Sequence, residues 1–294
     1  MSRTPEDEEQ ASALAGDAGA LEHLAAGELQ VLGRITDASN ATLFALVHHG
    51  GRALRCVYKP IAGERPLWDF PDRTLALREV AAYAVSAASG WDVVPPTVLR
   101  EGPHGPGSVQ LWVDPGGAEE ADAADGALTV HLPEPGAGLV DVVADGSGGE
   151  GWLPVVRAAD ERGRPVALVH ADDERLRRIA VLDVVLNNAD RKGGHVLPGP
   201  SGTVLGVDHG LTFHVEDKLR TVLWGWADSR LLPAEQEVLQ RLEADLSAGL
   251  GEVLARLLEP AEVEAARRRT QRLLRRDRMP RPGQGWPSIP WPAF

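Results

Sequence analysis

Four charged side chains in this chain have the types and the spacing that phosphoryl transfer from ATP requires. Asp190 and Asp208 lie on two loops separated by a short apolar segment, and Lys59 and Glu79 lie far upstream. Phosphoryl transfer needs a cation on the nucleotide phosphates, a carboxylate that accepts the proton of the attacking hydroxyl, and a carboxylate that holds a divalent metal. We therefore assign Lys59 and Glu79 to nucleotide binding, Asp190 to the proton and Asp208 to the metal. Taken singly, either aspartate could instead cap a loop, and Lys59 or Glu79 could be a solvated surface residue.

Further polar residues extend this predicted site. After Asp190 comes Lys192, whose ammonium either neutralises transferred phosphate or is simply solvated. His195 stands where kinase-type loops usually carry a second metal ligand. Because imidazole binds metal only when neutral, we expect a preference for Mn²⁺ over Mg²⁺ and loss of activity below about pH 6.5. The alternative is a histidine that packs under the loop. The turn with Ser39 and Asn40 is predicted to contact phosphate, although such turns are also ordinary hairpin connections.

Hydrophobic periodicity predicts the elements that carry these residues. Five segments have the pattern of β-strands, at residues 28–35, 43–48, 53–58, 93–99 and 108–113. A helix that begins near Thr74 and ends at Gly90 carries Glu79, and a mostly apolar helix at 173–187 leads into Asp190. The last third, from Pro233 onward, is predicted to be helical. The fold class expected is α+β, with a small antiparallel sheet followed by a mainly helical part.

Composition excludes several classes of protein. The chain has 294 residues, 43% of them hydrophobic, and a formal net charge of −13, which argues against a general binder of nucleic acid or anionic membranes. Its single cysteine, Cys56, rules out an internal disulfide. No apolar run is long enough to serve as a membrane anchor, and we expect a cytoplasmic protein.

One basic segment stands apart from this acidic composition. Its members are Arg267, Arg268, Arg269, Arg272, Arg275, Arg276 and Arg278. The sequence is compatible with a solvated helix face and with a binding patch.

Four motifs, in this order, resemble those of a known superfamily. Tyr58-Lys59-Pro60, the helix segment 78–83, Asn188-Ala189-Asp190-Arg191 and Val207-Asp208-His209-Gly210 are similar to motifs of the phosphatidylinositol 3-/4-kinase-like atypical kinases. The type II phosphatidylinositol 4-kinases are the most similar branch. More narrowly, the chain resembles an uncharacterised actinobacterial family assigned to that superfamily, and the resemblance covers residues 28–227.

The resemblance implies a two-lobe, protein-kinase-like fold with ATP and Mg²⁺ as cofactors. In that arrangement Lys59 and Glu79 form the pair that grips ATP, Asp190 is the catalytic aspartate and Asp208 is the metal aspartate. The hinge along which adenine would lie consists of Gln110, Leu111, Trp112 and Val113. The chain departs from the superfamily at His195, where asparagine is usual.

These expectations combine into a domain organisation and a function. The predicted parts are a disordered acidic N-terminus (1–20), an ATP-binding lobe (21–114), a linker or insertion (115–164), a second lobe with the catalytic and metal loops (165–276) and a Pro/Trp-rich tail (277–294). We expect a phosphotransferase that uses ATP and a divalent metal and acts on a hydroxyl of an unknown protein, lipid or small molecule. The alternatives are a nucleotide-binding pseudokinase, which the substitution at His195 favours, and AMP transfer on the same scaffold.

Overall fold

The computed structural model describes residues 17–35, 40–114, 119–122, 128–131, 138–144, 148–283 and 287–294. Twelve strands lie within these residues: β1 (Glu28–Ile35), β2 (Leu43–His49), β3 (Arg52–Pro60), β4 (Thr97–Gly102), β5 (Gly105–Leu111), β6 (Glu119–Asp122), β7 (Leu128–His131), β8 (Val140–Ala144), β9 (Trp152–Ala159), β10 (Pro165–Ala171), β11 (Val196–Pro198) and β12 (Val204–Gly206). Six α-helices lie within the same residues: α1 (Asp17–Ala26), α2 (Leu75–Ser89), α3 (Glu174–Leu186), α4 (Pro233–Leu246), α5 (Gly249–Leu254) and α6 (Pro260–Arg276).

The largest sheet contains the five strands expected from the sequence and two more. Its order is β4-β5-β3-β2-β1-β7-β6, and its neighbours are antiparallel except for β1 and β7, which are parallel. The expected small antiparallel sheet is therefore extended at one edge by β6 and β7, which come from the segment predicted as a linker. Each has only four residues and joins the sheet through backbone hydrogen bonds, which leave no mark on hydrophobic periodicity.

A second sheet also draws on the segment 115–164. Its order is β8-β10-β9, so the boundary predicted between residues 164 and 165 falls between two strands that pair with each other. The side chains of β9 are mostly exposed, whereas β10 contributes a run of buried residues. The predicted linker therefore contains a strand, β9, that belongs to the sheet although most of its side chains are exposed.

Two of the predicted strand boundaries differ from the structure. Residues 93–96 precede β4 and stay outside the sheet, because Pro95 and Pro96 have no amide hydrogen to donate to a neighbouring strand. At the other edge β5 ends at Leu111, so Trp112 and Val113 continue beyond it. The hairpin between β2 and β3 turns at Gly50 and Gly51 as expected, and both have the positive φ that such a tight turn requires.

Helix α1 begins inside the segment predicted as a disordered N-terminus. Of that segment, residues 1–16 lie outside the described part, and the helix starts at Asp17. Ala20 and Leu24 are buried in a cluster with residues of the large sheet, and the ring of His23 makes a 2.8 Å hydrogen bond with the carbonyl of Val47. These tertiary contacts therefore order a stretch whose acidic, alanine-rich composition alone predicts disorder.

The main hydrophobic core surrounds α3. Ten of the thirteen residues of this helix are buried, and its sequence from Ile179 onward is apolar except for Asp183. Asp173 caps its first turn by accepting a hydrogen bond from the backbone N–H of Arg175, and Asn187 ends it in the left-handed conformation with φ 56°. The helix is thus a rigid support for the loop that contains Asp190. No helix in the described part of the chain combines the length and apolar character needed to cross a bilayer.

Helix α2 joins the large sheet to the C-terminal helices. It contacts β4 and β5 on one side and α4 and α5 on the other. Its Arg78 is fully buried, donates a hydrogen bond to the carbonyl of Thr212 at 2.6 Å and forms a 2.6 Å ion pair with Glu262 of α6. Because a buried guanidinium without a counter-charge is costly, this ion pair fixes α2 against the helical part.

The C-terminal residues pack across the helical part. The indole N–H of Trp224 donates to the carbonyl of Ser288 at 2.8 Å, and the backbone N–H of Gly193 donates to the carbonyl of Ala293 at 2.8 Å. Trp286, one of the tail tryptophans, lies outside the described residues. The described end of the tail therefore abuts the loop that follows Lys192.

We expect Glu262→Gln to lower the free energy of unfolding by about 3–5 kcal/mol, because Arg78 would remain buried without its counter-charge. Urea denaturation at pH 7 measures this loss. Glu264→Gln on the same helix is the matched control, since Glu264 is exposed and pairs with Arg267 at the surface. Its cost should stay below about 1 kcal/mol. Equal losses in the two variants would show that the Arg78 pair does not hold α2 in place.

Candidate active site

Lys59 lies between two carboxylates that come from distant parts of the chain. It is near the end of β3, Glu79 is on α2, and Asp208 follows β12. The Lys59 Nζ donates to Glu79 Oε1 and, at 2.8 Å, to Asp208 Oδ1, which is 149 residues away in sequence. The side chain of Glu79 is 3% exposed and that of Asp208 is 50% exposed. The structure thus brings together three of the predicted site residues and leaves the Asp208 side open to solvent.

The charges of this cluster stabilise one another. The Lys59 ammonium holds the pKa of Asp208 well below its usual range, although burial acts in the opposite direction. Burial lowers the pKa of Lys59, but Asp208 and Glu79 outweigh it and raise that pKa above its usual value. Lys59 and Asp208 are therefore both charged at neutral pH.

Asp190 is held by the loop that directly follows α3. The fully buried Asn188 donates from its side-chain amide to Asp183 Oδ1 at 2.9 Å, and its Oδ1 accepts the backbone N–H of Asp190 at 3.0 Å. Burial raises the pKa of Asp190 to about 6, and the negative charge of Asp208 adds to the rise. The Lys192 ammonium lies 3.6 Å from Asp190 Oδ2 and acts in the opposite direction. A carboxylate with this pKa is suited to accept a proton near neutral pH.

The guanidinium of Arg191 ties the loops of the site to α3. It is fully buried and forms an ion pair with Asp183, at 2.8 and 3.0 Å. Nη1 donates to the carbonyls of His195 (3.1 Å) and Val207 (2.8 Å), and Nη2 donates to His209 Nε2 at 2.7 Å. Through these bonds one side chain sets the positions of the turn at 193–195 and the loop that contains Asp208.

Sequence reasoning missed the positioning role of Asp183, Arg191, Asn188 and His209. The motifs contain three of these residues, but nothing in a motif shows which side chains point away from the substrate. One signal was available: Asp183 is the only charged residue in the otherwise apolar run 179–186. A carboxylate at such a position must find a buried partner, and Arg191 is the partner in the structure.

His195 faces the carboxylate of Asp208. Its Nε2 lies 3.4 Å from Asp208 Oδ2, and its Nδ1 is buried with no hydrogen-bond partner among the described residues. Burial lowers the pKa of His195 to about 4, so the ring is neutral at physiological pH and available as a ligand. The expectation that its protonation would end activity below about pH 6.5 is thereby corrected, because that expectation used the pKa of a solvated histidine.

The donor set fits a divalent cation that arrives with a nucleotide. Asp208 and His195 would supply one carboxylate and one neutral imidazole. Within the described ranges, no group of three or more His, Cys, Asp or Glu side chains is placed to hold a metal on its own. Mg²⁺ sites of this kind depend on one or two protein ligands together with phosphate oxygens and water. These two residues therefore fit a metal shared with a phosphate ligand.

Of the two predicted phosphate-loop residues, one can be placed. Ser39 lies outside the described residues. Asn40 accepts the backbone N–H of Arg65 through its Oδ1 at 2.9 Å, and the N–H of Ala41 donates to the carbonyl of Gly63 at 3.2 Å. The Asn40 side chain thus joins the turn to the segment after β3, and its contact with phosphate stays a prediction.

The predicted hinge, Gln110 to Val113, is buried at the end of β5. The side-chain amide of Gln110 donates to Thr97 Oγ1 at 2.8 Å, and the backbone N–H groups of Leu111 and Trp112 donate to the carbonyls of Pro96 and Arg55. Those two amides are thus already satisfied. The N–H of Val113 has no backbone acceptor among the described residues, and contact of this segment with a nucleotide base stays a prediction.

Two matches to known proteins differ greatly in strength. No protein-family model matches the chain. Protein Rv2133c of Mycobacterium tuberculosis is 54% identical over 275 residues, which are 92% of this chain and 94% of that protein. The Helicobacter pylori proinflammatory kinase CtkA matches with 9% sequence identity and a TM-score of 0.39, over 85% of this chain and 97% of that chain. A TM-score this low does not establish a common fold, and the second match therefore carries no argument about the activity of this chain.

We expect the His195 ring to stay neutral until about pH 4, because its burial opposes a positive charge. Long-range ¹H–¹⁵N NMR of the histidine rings follows this titration, and the signal missing in His195→Gln identifies the residue. In Asp208→Asn the pKa of His195 should fall further, because the Asp208 charge favours the imidazolium. Titration near the reference value of about 6.5 would place the ring in solvent and remove it from the site.

Proposed function

We propose that this chain, which belongs to the same family as Protein Rv2133c of Mycobacterium tuberculosis, binds ATP at the Lys59–Glu79–Asp208 cluster and transfers its γ-phosphoryl group to a hydroxyl. The observation that carries the proposal is the bridge that Lys59 forms between a helix carboxylate and a loop carboxylate. In kinase-like sites, a strand lysine paired with a helix glutamate binds the α- and β-phosphates. The proposed architecture is the two-lobe arrangement of the phosphatidylinositol 3-/4-kinase-like group, with the site between the large sheet and the helical part.

The bonds of Lys59 suggest how a nucleotide would be accommodated. Glu79 is held from its other oxygen by the backbone N–H of His209 at 2.9 Å, so it stays in place. Asp208 is half exposed and is bound to Lys59 through one of its oxygens. Nucleotide phosphates that reach Lys59 would replace Asp208 there and free its carboxylate. Asp208 and His195 would then hold Mg²⁺ or Mn²⁺, which supplies positive charge for the phosphate oxygens.

The base of the nucleotide would lie against an apolar cluster on the same face of the sheet. Val57 and Lys59 are two residues apart on β3 and so point to the same side. Val57 packs there with Ile35, Phe44 and Trp112, and the rings of Phe44 and Trp112 make an edge contact with centroids 5.1 Å apart. An aromatic, apolar surface beside a phosphate-binding lysine suits adenine.

Asp190 would carry the proton in the transfer step. The acceptor hydroxyl oxygen bonds to the γ-phosphorus, the bond from that phosphorus to the ADP oxygen breaks, and the hydroxyl proton moves to the Asp190 carboxylate. Lys192, close to Asp190, adds positive charge where the transferred group develops negative charge. The acceptor is a hydroxyl of a protein, lipid or small molecule.

We expect ATP with Mg²⁺ or Mn²⁺ to raise the melting temperature of the wild type. At roughly 100 times its Kd, a ligand specific for the folded state contributes about 2.7 kcal/mol, which corresponds to about 4–8 °C in a chain of this size. Differential scanning fluorimetry measures the shift, and Asp208→Ala should abolish its metal-dependent part.

The matched control for this experiment is Asp72→Ala, which removes an exposed aspartate outside the cluster. It should preserve the full shift. A wild-type protein that is folded but shifts with neither metal would rule out the nucleotide site.

We expect basal ATP hydrolysis to lose activity as the pH falls through about 6, because Asp190 has its pKa raised to about 6 and must be ionised to accept a proton. The pH profile of kcat/KM measures this limb. In Lys192→Gln the limb should move to higher pH, because the Lys192 charge is what lowers the pKa of Asp190. Asp190→Asn should remove turnover while ATP still binds.

Product analysis separates this reaction from its rivals. ADP as the product supports phosphoryl transfer, whereas pyrophosphate would indicate AMP transfer. ATP binding without turnover at any pH would instead identify a nucleotide-binding regulatory module.

A further inference from the structure

A cavity of about 530 Å³ lies between α6, the segment that follows it and the C-terminal end of α3. Five arginines contribute to its lining: Arg269, Arg272, Arg276, Arg278 and Arg281. None of the residues assigned to nucleotide or metal binding lines it. Four of these arginines belong to the run whose role the sequence left open, and the structure places that part of the run around a cavity. Arg267, by contrast, pairs with Glu264 and Glu243 outside it.

Arg269 is the strongest indication of a ligand. The residue is 4% exposed, its Nε donates to the carbonyl of Val185 and its Nη1 to the carbonyl of His214, each at 3.1 Å. Its Nη2 is buried and has no hydrogen-bond partner in the described ranges. Burial lowers the pKa of this guanidinium to about 10, as expected for a cation without a directly bound carboxylate. A buried donor of this kind is costly unless something binds it.

The two aspartates of the lining do not neutralise the positive charge of its five arginines. Asp217 binds Arg272 through two hydrogen bonds, at 2.6 and 3.1 Å. Asp228 binds Arg281 at 2.6 Å and lies 4.0 Å from Arg278. Both aspartates are thereby committed to arginines, and Arg276 forms no ion pair with any described residue. In a chain with a net charge of −13, this concentration of positive charge is local and specific to the cavity.

Apart from Asn187, the rest of the lining has no polar side chain. Val184, Leu219, Trp224, Leu273 and Met279 contribute to the walls. A cavity lined by both arginines and aliphatic and aromatic side chains is complementary to a ligand with a charged and an apolar part. Arginine binds phosphate through two parallel N–H donors, which makes phosphate the anion that best matches this lining.

We infer that this cavity is a second ligand site, separate from the nucleotide site, and that it binds a phosphate-bearing compound with an apolar portion. The phosphate contacts Arg276 and is attracted by the positive charge of Arg269, and the apolar portion lies against Leu273 and Met279. The phosphate belongs to a soluble organic phosphate or to the headgroup of an anionic lipid.

Binding of pyrophosphate and of lipid vesicles tests this site. Isothermal titration calorimetry with inorganic pyrophosphate is run in EDTA, so that metal-dependent binding at Asp208 does not contribute. Cosedimentation uses phosphatidylcholine vesicles with and without phosphatidic acid. The variant is Arg276→Glu, and the matched control is Arg275→Glu, an exposed neighbour with the same change of charge that does not line the cavity.

We expect at least one probe to bind the wild type and Arg275→Glu equally, and Arg276→Glu to weaken binding by at least about tenfold. Pyrophosphate binding identifies a soluble phosphate compound as the ligand, and binding to phosphatidic acid vesicles alone identifies a lipid headgroup. The inference is overturned if neither probe binds the folded wild type, or if the two variants bind equally. Loss of ATP binding in Asp208→Ala leaves these results unchanged, so this site and the proposed function fail independently.

Discussion

The arrangement of the candidate site depends on one buried guanidinium. Arg191 has five N–H donors, and each has an acceptor: two bonds go to the carboxylate of Asp183, two to the carbonyls of His195 and Val207, and one to the ring of His209. Because an unpaired donor of a buried cation is costly, α3, the turn at 193–195 and the loop that contains Asp208 cannot easily shift relative to one another. Because arginine only donates, His209 Nε2 must accept, which agrees with a pKa of His209 held below its usual value by burial and by Arg191.

The same network reaches the residue that binds phosphate in the proposed function. The backbone N–H of His209 holds Glu79, and Glu79 in turn holds Lys59. On α2, the neighbouring Arg78 points into the protein and pairs with Glu262. Adjacent residues of one helix thus serve two purposes: Arg78 fixes the helix against the helical part, and Glu79 presents a carboxylate to the sheet. Stability and the proposed chemistry are coupled through the position of this helix.

Positive charge is treated differently in the two places where this acidic chain concentrates it. At Lys59 the ammonium has two carboxylate partners, so in the proposed function a nucleotide would compete with Asp208 for it. In the arginine-lined cavity, Arg269 Nη2 is buried without a partner in the part of the chain that is described. The first arrangement suits a site that exchanges its ligand for an internal salt bridge. The second suits a site that is electrostatically complete only when a ligand is bound.

The sequence by itself determined the local elements and the chemical types of the site residues. Strand alternation located β1 to β3. Helical periodicity located α2, with a start near Thr74 and a cap at Gly90, and α3. Motif order selected Lys59, Glu79, Asp190 and Asp208. Periodicity and capping are local properties, which is why they can be read from neighbouring residues. Only the tertiary structure decided that β6 and β7 extend the sheet and that Arg269, unlike Arg267, faces a cavity. It also set the pKa of His195 near 4, because burial and pairing depend on residues that are distant in sequence.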